Sequence, residues 1–174
     1  PHHEEIVARF AHHMNRGKPN RKDVVVTLGA TRSAIDDIRY VQNTSSGATG
    51  FSIADDLYRH GHEVTCVAGV TSVPALKWLP LILKVREPNA MLKELQVLSR
   101  DPIDAWIHTA AVLDYLVAEP AEGKIASQQG SLNVELIEGA KHIEALKDSC
   151  QNAVRIGFKL ESGIKQKDLI YRAT

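Results

Sequence analysis

The chain has only two cysteines, Cys66 and Cys150, set far apart and in no short-spaced motif. That excludes a disulfide framework and a Cys-x-x-Cys metal or redox site, and it reads as buried free thiols in a reducing cytoplasm. No apolar run reaches the roughly 18 residues expected of a membrane span, and no signal-peptide pattern is present. An excess of either charge is missing as well: Lys+Arg and Asp+Glu are both 21. A chain with no net charge is poorly suited to nonspecific binding of nucleic acid or membrane. There is no GxGxxG after the first apolar run, no GK[ST], no Ser/His/Asp order, no internal repeat and no low-complexity tract. Aromatic residues make up only 5%, and Trp78 and Trp106 read as packing residues.

What is present suits one soluble globular domain: 174 residues, 44% hydrophobic and 24% charged. "EEIVARFAHHM" (4–14) puts Ile6, Val7, Phe10, Ala11 and Met14 on one helical stripe, followed by the polar connector "NRGKPNRKD". Residues 1–20 thus form an N-terminal helical segment and linker, and 21–174 the main domain. "VVVTL" (24–28) is short, apolar and β-branched, as in a strand buried on both faces of a parallel sheet. A helix is expected over 46–60 with Gly61 ending it, and strands over 62–69 and 81–85. A helix over 89–100 has Asn89 as its N-cap. Strands over 104–112, 131–137 and 153–160 follow, with helices over 140–149 and 164–174. Strands alternating with helices predict an α/β fold, a Rossmann-like three-layer sandwich with a mostly parallel sheet. The long loop 112–130 is a candidate functional segment.

Ligands in such sheets bind beyond the carboxyl ends of the strands, and three stretches fall there. "GATR" (29–32) leads into "RYVQNTSSGATG" (39–50), seven of whose twelve residues are Asn, Thr, Ser or Gly. Gly29, Gly47 and Gly50 permit close backbone approach, and Ser45 and Ser46 offer hydroxyls at the start of a helix. A phosphate cradle and a plain N-capped connector both fit this pattern. In "TAAVLDY" (109–115), Ala110 and Ala111 allow a flat ring to lie on the backbone, and Asp114 can accept from a ribose hydroxyl or meet a cation; strand-end packing fits equally. Lys124, in a Gly-containing loop, can close over a polyphosphate or simply be solvated. The pairs His2-His3 and His12-His13 read as solvated helix surface and His108 as a core group.

Taken together, "VVVTLGATRSAIDDIRYVQNTSSGATG", "ADDLYRHGHEVTCVAG", "TAAVLDY", "GKIASQQGSLNVEL" and "IGFKLE" resemble the phosphopantothenoylcysteine synthetase (phosphopantothenate–cysteine ligase) family, from about Val24 to Glu161. "RYxxNxSSGxxG" with "AAVxDY" and a lysine thirteen residues after the second Ala is a specific combination. The resemblance implies a ligase of coenzyme A biosynthesis. It would activate 4′-phosphopantothenate with CTP or ATP to an acyl-nucleotidylate and then join it to L-cysteine, with Mg²⁺ (or Mn²⁺) and without flavin.

The resemblance also implies roles. Gly29, Ala30 and Thr31 line the phosphate site. Asn43 holds the acyl group, with Arg39 before it. Ser45, Ser46 and Gly47 meet the triphosphate. Ala110, Ala111 and Asp114 bound base and ribose, Asp114 with a possible metal contact. Lys124 closes over the nucleotide, and Lys141 and Phe158 lie near it. A homodimer in the cytoplasm is expected. Ala30 replaces the family's second Gly, "SSGATG" replaces "SSGKMG", and "KIAS" replaces "KIKK", closer to monofunctional members. The chain ends before the family's last strand and flap, so the domain is expected to be incomplete at its C-terminus. The rival expectations are a nucleotide-binding homologue without catalysis and an NAD(P)-dependent oxidoreductase on a generic Rossmann sheet.

Overall fold

The computed structural model describes residues 2–128, 130–160, 163, 165, 167 and 168. In chain order the elements are α1 (His3–Asn15), β1 (Asp23–Leu28), β2 (Arg32–Ala34), β3 (Tyr40–Gln42), α2 (Ala48–Arg59), β4 (Glu63–Ala68), β5 (Leu81–Lys84), α3 (Pro88–Leu98), β6 (Ala105–His108), β7 (Tyr115–Val117), β8 (Leu136–Glu138), α4 (His142–Ala145) and β9 (Val154–Gly157).

The run Val24-Val25-Val26 forms the middle of the sheet because its β-branched side chains suit a strand flanked on both sides. β1 pairs in parallel with β4 (Val26 opposite Cys66) and with β6 (Val26 opposite Ile107). The five strands run in the order β5-β4-β1-β6-β9, all parallel. Period-two alternation sends side chains to opposite layers. Val24, Val26 and Leu28 pack with Ala8, Phe51, Ala54 and Tyr58 of α1 and α2, whereas Val25 packs with Met91, Leu95, Trp106 and Leu146 on the α3–α4 side. This is the expected three-layer α/β architecture. Trp106 is the largest fully buried side chain, and its truncation to Ala costs about 3–5 kcal/mol.

Gly61 ends α2 as expected: its N–H donates to the Tyr58 carbonyl (2.9 Å), and the His62 N–H to Leu57 (3.1 Å). Asn89 is not the cap of α3. The helix begins one residue earlier, with Pro88 at its first position after the extended Glu87, because proline's fixed φ is already helical there. The segment 131–137 does not supply a strand of the five-stranded sheet. Only Leu136–Glu138 is a strand, and it forms an antiparallel ribbon with β7, which lies in the long loop. A second ribbon joins β2 to β3. The helix expected over 140–149 narrows to His142–Ala145. Its periodicity survives in the burial of His142, Leu146 and Cys150, four residues apart in succession.

The apolar stripe of α1 faces outward, with Ile6, Val7, Phe10 and Met14 exposed. The helix docks instead through buried Ala8 and through His12, whose ring stacks on Tyr58 with centroids 4.1 Å apart. His12 Nδ1 also lies 2.8 Å from the Tyr58 carbonyl oxygen, so this histidine is not simply solvated. The helix expected over 164–174 falls, apart from residues 165, 167 and 168, outside the described residues. Among the described residues no helix is long and apolar enough to cross a membrane.

Candidate active site at the carboxyl ends of the strands

β1 leaves the sheet at Gly29, whose φ is +77° and whose Cβ, if it had one, would lie 2.7 Å from the Val70 carbonyl oxygen. The next two residues are framework. Ala30 exchanges backbone hydrogen bonds with Val70 (2.9 and 2.7 Å), and the Ala111 N–H donates to the Gly29 carbonyl (2.8 Å). The Thr31 N–H donates to the Ala111 carbonyl (3.2 Å), and the Thr31 hydroxyl accepts from the Leu113 N–H (2.9 Å). Ala30 and Thr31 are fully buried. These bonds lock the turn after β1 to the turn after β6, so Gly29–Thr31 and Ala110–Ala111 come together.

Asn43 joins the same cluster. Its side-chain N–H₂ donates to the Val112 carbonyl at 2.9 Å and approaches that of Ala111 at 3.4 Å. Because both partners are carbonyls, the nitrogen must be the atom facing them, and Oδ1 accepts no hydrogen bond among the described residues. Two residues on, Ser45 is half-buried and Ser46 exposed. The Ser46 hydroxyl accepts from the Ala48 N–H (3.2 Å). Gly47 precedes α2 with φ +81°, and the first turn of α2 holds no acidic residue. The N–H groups of Thr49 and Gly50 have no partner among the described residues. An added Cβ at Gly50 would lie 2.3 Å from Leu28 Cβ and 2.5 Å from Thr109 Oγ1, so the start of this helix rests directly on the ends of β1 and β6. The arrangement presents positive dipole and unbonded N–H groups at the strand ends, an environment that suits an anion.

Arg39 and Lys124 are linked through a residue that the sequence did not single out. Asp36 is buried. Its Oδ1 accepts from the N–H groups of Ile38 (2.8 Å) and Arg39 (2.6 Å), and its Oδ2 from the Arg39 guanidinium and the Ile125 N–H (3.1 Å). Burial by itself would raise this carboxyl, but the N–H groups of Arg39, Ile38 and Ile125 and the Arg39 guanidinium outweigh it and hold it well below the ordinary carboxylate range. The Arg39 guanidinium also donates to the Ile125 carbonyl (3.3 Å). Lys124 is exposed next to this clasp. The local part of this arrangement is an Asx turn, an Asp accepting from the N–H groups two and three residues on, whereas the bond to Ile125 leaves no local signal.

The remaining candidates are less tied in. The Asp114 side chain is exposed, and its carbonyl accepts from the Gly139 N–H (2.8 Å). Lys141, also exposed, precedes α4, and Phe158 follows edge strand β9 with 57% of its surface exposed. Among the described residues neither of these two hydrogen-bonds the cluster. Beneath that edge, His108 Nε2 and His142 Nδ1 are buried without hydrogen-bond partners among the described residues. Burial, with His142 and Arg155 nearby, pushes His108 down to about 4. A concavity of about 430 Å³ lined by Asp101, Asp104, Trp106 and Cys150 opens at the opposite end of the sheet and shares no residue with the strand-end cluster. Among the described residues no group of three or more His, Cys, Asp or Glu is placed to hold a metal ion.

Comparison with known proteins agrees with this fold. The model of the DNA/pantothenate metabolism flavoprotein C-terminal domain family matches residues 20–173. The Coenzyme A biosynthesis bifunctional protein CoaBC of Thermococcus kodakarensis is 36% identical over 171 residues, covering 98% of this chain and 42% of that protein. The chain thus spans less than half the length of such relatives. Among solved structures, the C-terminal domain of a Coenzyme A biosynthesis bifunctional protein CoaBC superposes with a TM-score of 0.71 at 26% identity, covering 87% of this chain and 70% of that one. A Cab2 variant in complex with phosphopantothenate-cysteine gives 0.69 at 20% identity, covering 97% of this chain and 71% of that one, a likeness of fold.

Proposed function

Since the chain belongs to the DNA/pantothenate metabolism flavoprotein C-terminal domain family, we propose that it is a phosphopantothenate–cysteine ligase domain of coenzyme A biosynthesis. Its substrates are 4′-phosphopantothenate, L-cysteine and CTP or ATP. A carboxylate oxygen of phosphopantothenate attacks the α-phosphorus, the bond to pyrophosphate breaks, and an acyl-nucleotidylate forms. The cysteine amine then attacks the acyl carbon, loses a proton, and the nucleoside monophosphate leaves.

The observation that carries the proposal is the seating of Asn43. Its amide nitrogen is held by the Val112 and Ala111 carbonyls, at the turn proposed to bound the nucleotide. Its Oδ1 therefore serves as acceptor, orienting the attacking amine. The unbonded N–H groups opening α2 receive phosphate oxygens, with Ser45, Ser46 and Gly47 beside them. Gly29, Ala30 and Thr31 act by shaping the pocket's backbone, since the side chains of Ala30 and Thr31 are buried. Ala110, Ala111 and Asp114 flank base and ribose, Lys124 closes over the phosphates, and Lys141 and Phe158 border the nucleotide from the β9 edge. Mg²⁺ (or Mn²⁺), when bound, neutralises triphosphate charge. The donor set fits a cation held chiefly by phosphate oxygens and water, with Asp114 adding at most one carboxylate.

A homodimer is part of the proposal. The β7–β8 ribbon leaves Tyr115, Leu136 and Ile137 exposed, as a surface covered by a second copy would.

Pyrophosphate release that requires phosphopantothenate, nucleotide and Mg²⁺ is the test. No release with either CTP or ATP overturns the ligase assignment. Tight nucleotide binding by calorimetry without turnover replaces it with a nucleotide-binding homologue that lacks catalysis.

A further inference from the structure

Asp36 is left unused by the chemistry above, yet it is the most heavily bonded carboxylate among the described residues. Its side chain has no exposed surface. Two of its four donors, the Ile38 and Arg39 N–H groups, close the turn between β2 and β3. Of the other two, the Ile125 N–H lies 89 residues along the chain. Further bonds run in the same direction: the Ala121 N–H donates to the Ile35 carbonyl (2.9 Å) and the Asp37 N–H to the Gly123 carbonyl (3.4 Å). The backbone is therefore stitched down on both sides of Lys124, while the Lys124 side chain has no ion-pair partner among the described residues. The same turn leads through β3 directly to Asn43.

We infer that Asp36 is a positioning residue: by binding the Ile125 N–H and the Arg39 guanidinium, it fixes the Lys124 loop to the ribbon that carries Asn43. A carboxylate suits this task. Bonds from N–H and guanidinium to an ionised oxygen are stronger than neutral ones, and two oxygens can gather a turn and a distant loop at once. Without the clasp, the loop would spend part of its time away from its seat, and the nucleotide's apparent affinity would fall by the fraction seated. The inference rests on the ligase proposal only for what Lys124 meets.

The test is Asp36→Asn in the full chain. The amide oxygen still accepts from Ile38 and Arg39, but an –NH₂ now faces the Ile125 N–H and the guanidinium. Under native conditions trypsin is expected to cut after Lys124 roughly ten-fold faster than in the wild type, with other sites unchanged. In pyrophosphate release the nucleotide KM is expected to rise roughly ten-fold, with kcat within about two-fold. Equal cleavage rates overturn the inference. So does a fall in kcat at constant KM, which marks a residue needed only for folding. If the wild type releases no pyrophosphate, the ligase proposal fails while the cleavage comparison still decides the clasp. If Asp36→Asn does not fold, amide exchange in the wild type decides: the Ile125 N–H is expected to exchange far more slowly than those of Lys124 and Ala126, and equal exchange overturns the inference.

Discussion

The Asn43 side chain donates to the Val112 carbonyl at 2.9 Å, tying the loop before α2 to the turn after β6. Asn43→Asp places a carboxylate oxygen against that carbonyl and the one of Ala111. Lost bonding and repulsion are expected to cost about 1–3 kcal/mol in unfolding free energy. On the ligase proposal, product formation falls roughly 10²-fold or more while the acyl-nucleotidylate still forms and accumulates. Urea unfolding and rapid-quench detection of the intermediate check the two parts, and unchanged turnover would refute the role assigned to Asn43.

Gly50→Ala adds a methyl 2.3 Å from Leu28 Cβ and 2.5 Å from Thr109 Oγ1. Both neighbours belong to the strand-end framework, and the Thr109 hydroxyl is engaged with the Thr27 carbonyl at 2.6 Å. The start of α2 must lift, at a cost of about 1–3 kcal/mol, and nucleotide binding should weaken. Calorimetric titration of the variant, beside its thermal midpoint, measures both effects.

Lys124→Gln tests the loop from the other side. The lysine is exposed and forms no ion pair among the described residues, so stability should change by less than about 0.5 kcal/mol. Activity with nucleotide should nonetheless fall sharply. A variant as active as the wild type would remove Lys124 from the mechanism.

His108 gives a pH dependence of definite sign. Burial, with His142 of α4 and Arg155 of β9 nearby, lowers it from 6.5 to about 4 in the folded protein. Between those values the unfolded chain takes up the proton more readily. The stabilising effect of neutral His108 is complete above pH 6.5, declines as the pH falls through this window, and levels off below about 4. The slope from one such group is at most about 1.4 kcal/mol per pH unit. His142 is shifted down by the same cause, burial, and adds in the same direction. Asp36 acts elsewhere: its folded value lies below 3.8, so its contribution is lost only under more acidic conditions. Urea midpoints from pH 7 to 4.5 should therefore decline less steeply in His108→Leu than in the wild type.

A ligand that binds only the folded state raises its stability by mass action. Thermal midpoints with CTP and with ATP, each with and without Mg²⁺, should separate the preferred nucleotide from the other. Equal shifts of zero for both would count against nucleotide binding altogether.

The central strands and α2 were legible because their signals are strong and local. Val24–Leu28 is continuous and β-branched, and "FSIADDLYRHG" is helical up to a glycine that can only end it. The ribbons were not legible. β2, β3 and β8 have three residues each; β2 and β8 show no alternation in burial, and β3 is too short for its single alternation to register as a pattern. α1 was legible as a helix, but its docking face was not: periodicity marks Ile6, Phe10 and Met14, whereas the helix docks through Ala8, buried in the core, and His12, stacked on Tyr58, a small residue and a polar one. In the site, the Ser45–Gly47 turn stood out by composition and Asn43 through the family resemblance. Asp36 did not, because its bonds to Ile125 depend on a loop 89 residues away, and no local pattern encodes that meeting. Arg39, expected beside Asn43 from the family resemblance, was named without its partner Asp36.

The parallel pairing of β1 with β6, Val24 opposite Ala105 through Thr27 opposite His108, has a kinetic consequence. Asn43 and its carbonyl partners belong to segments that become neighbours only when these two distant strands align. Closing so long an intervening stretch carries a loop-entropy cost before any contact rewards it. Ligand-binding competence should thus emerge late in refolding, after local helix formation and together with closure of the sheet, and a nascent chain that has not yet released β6 has no site at all.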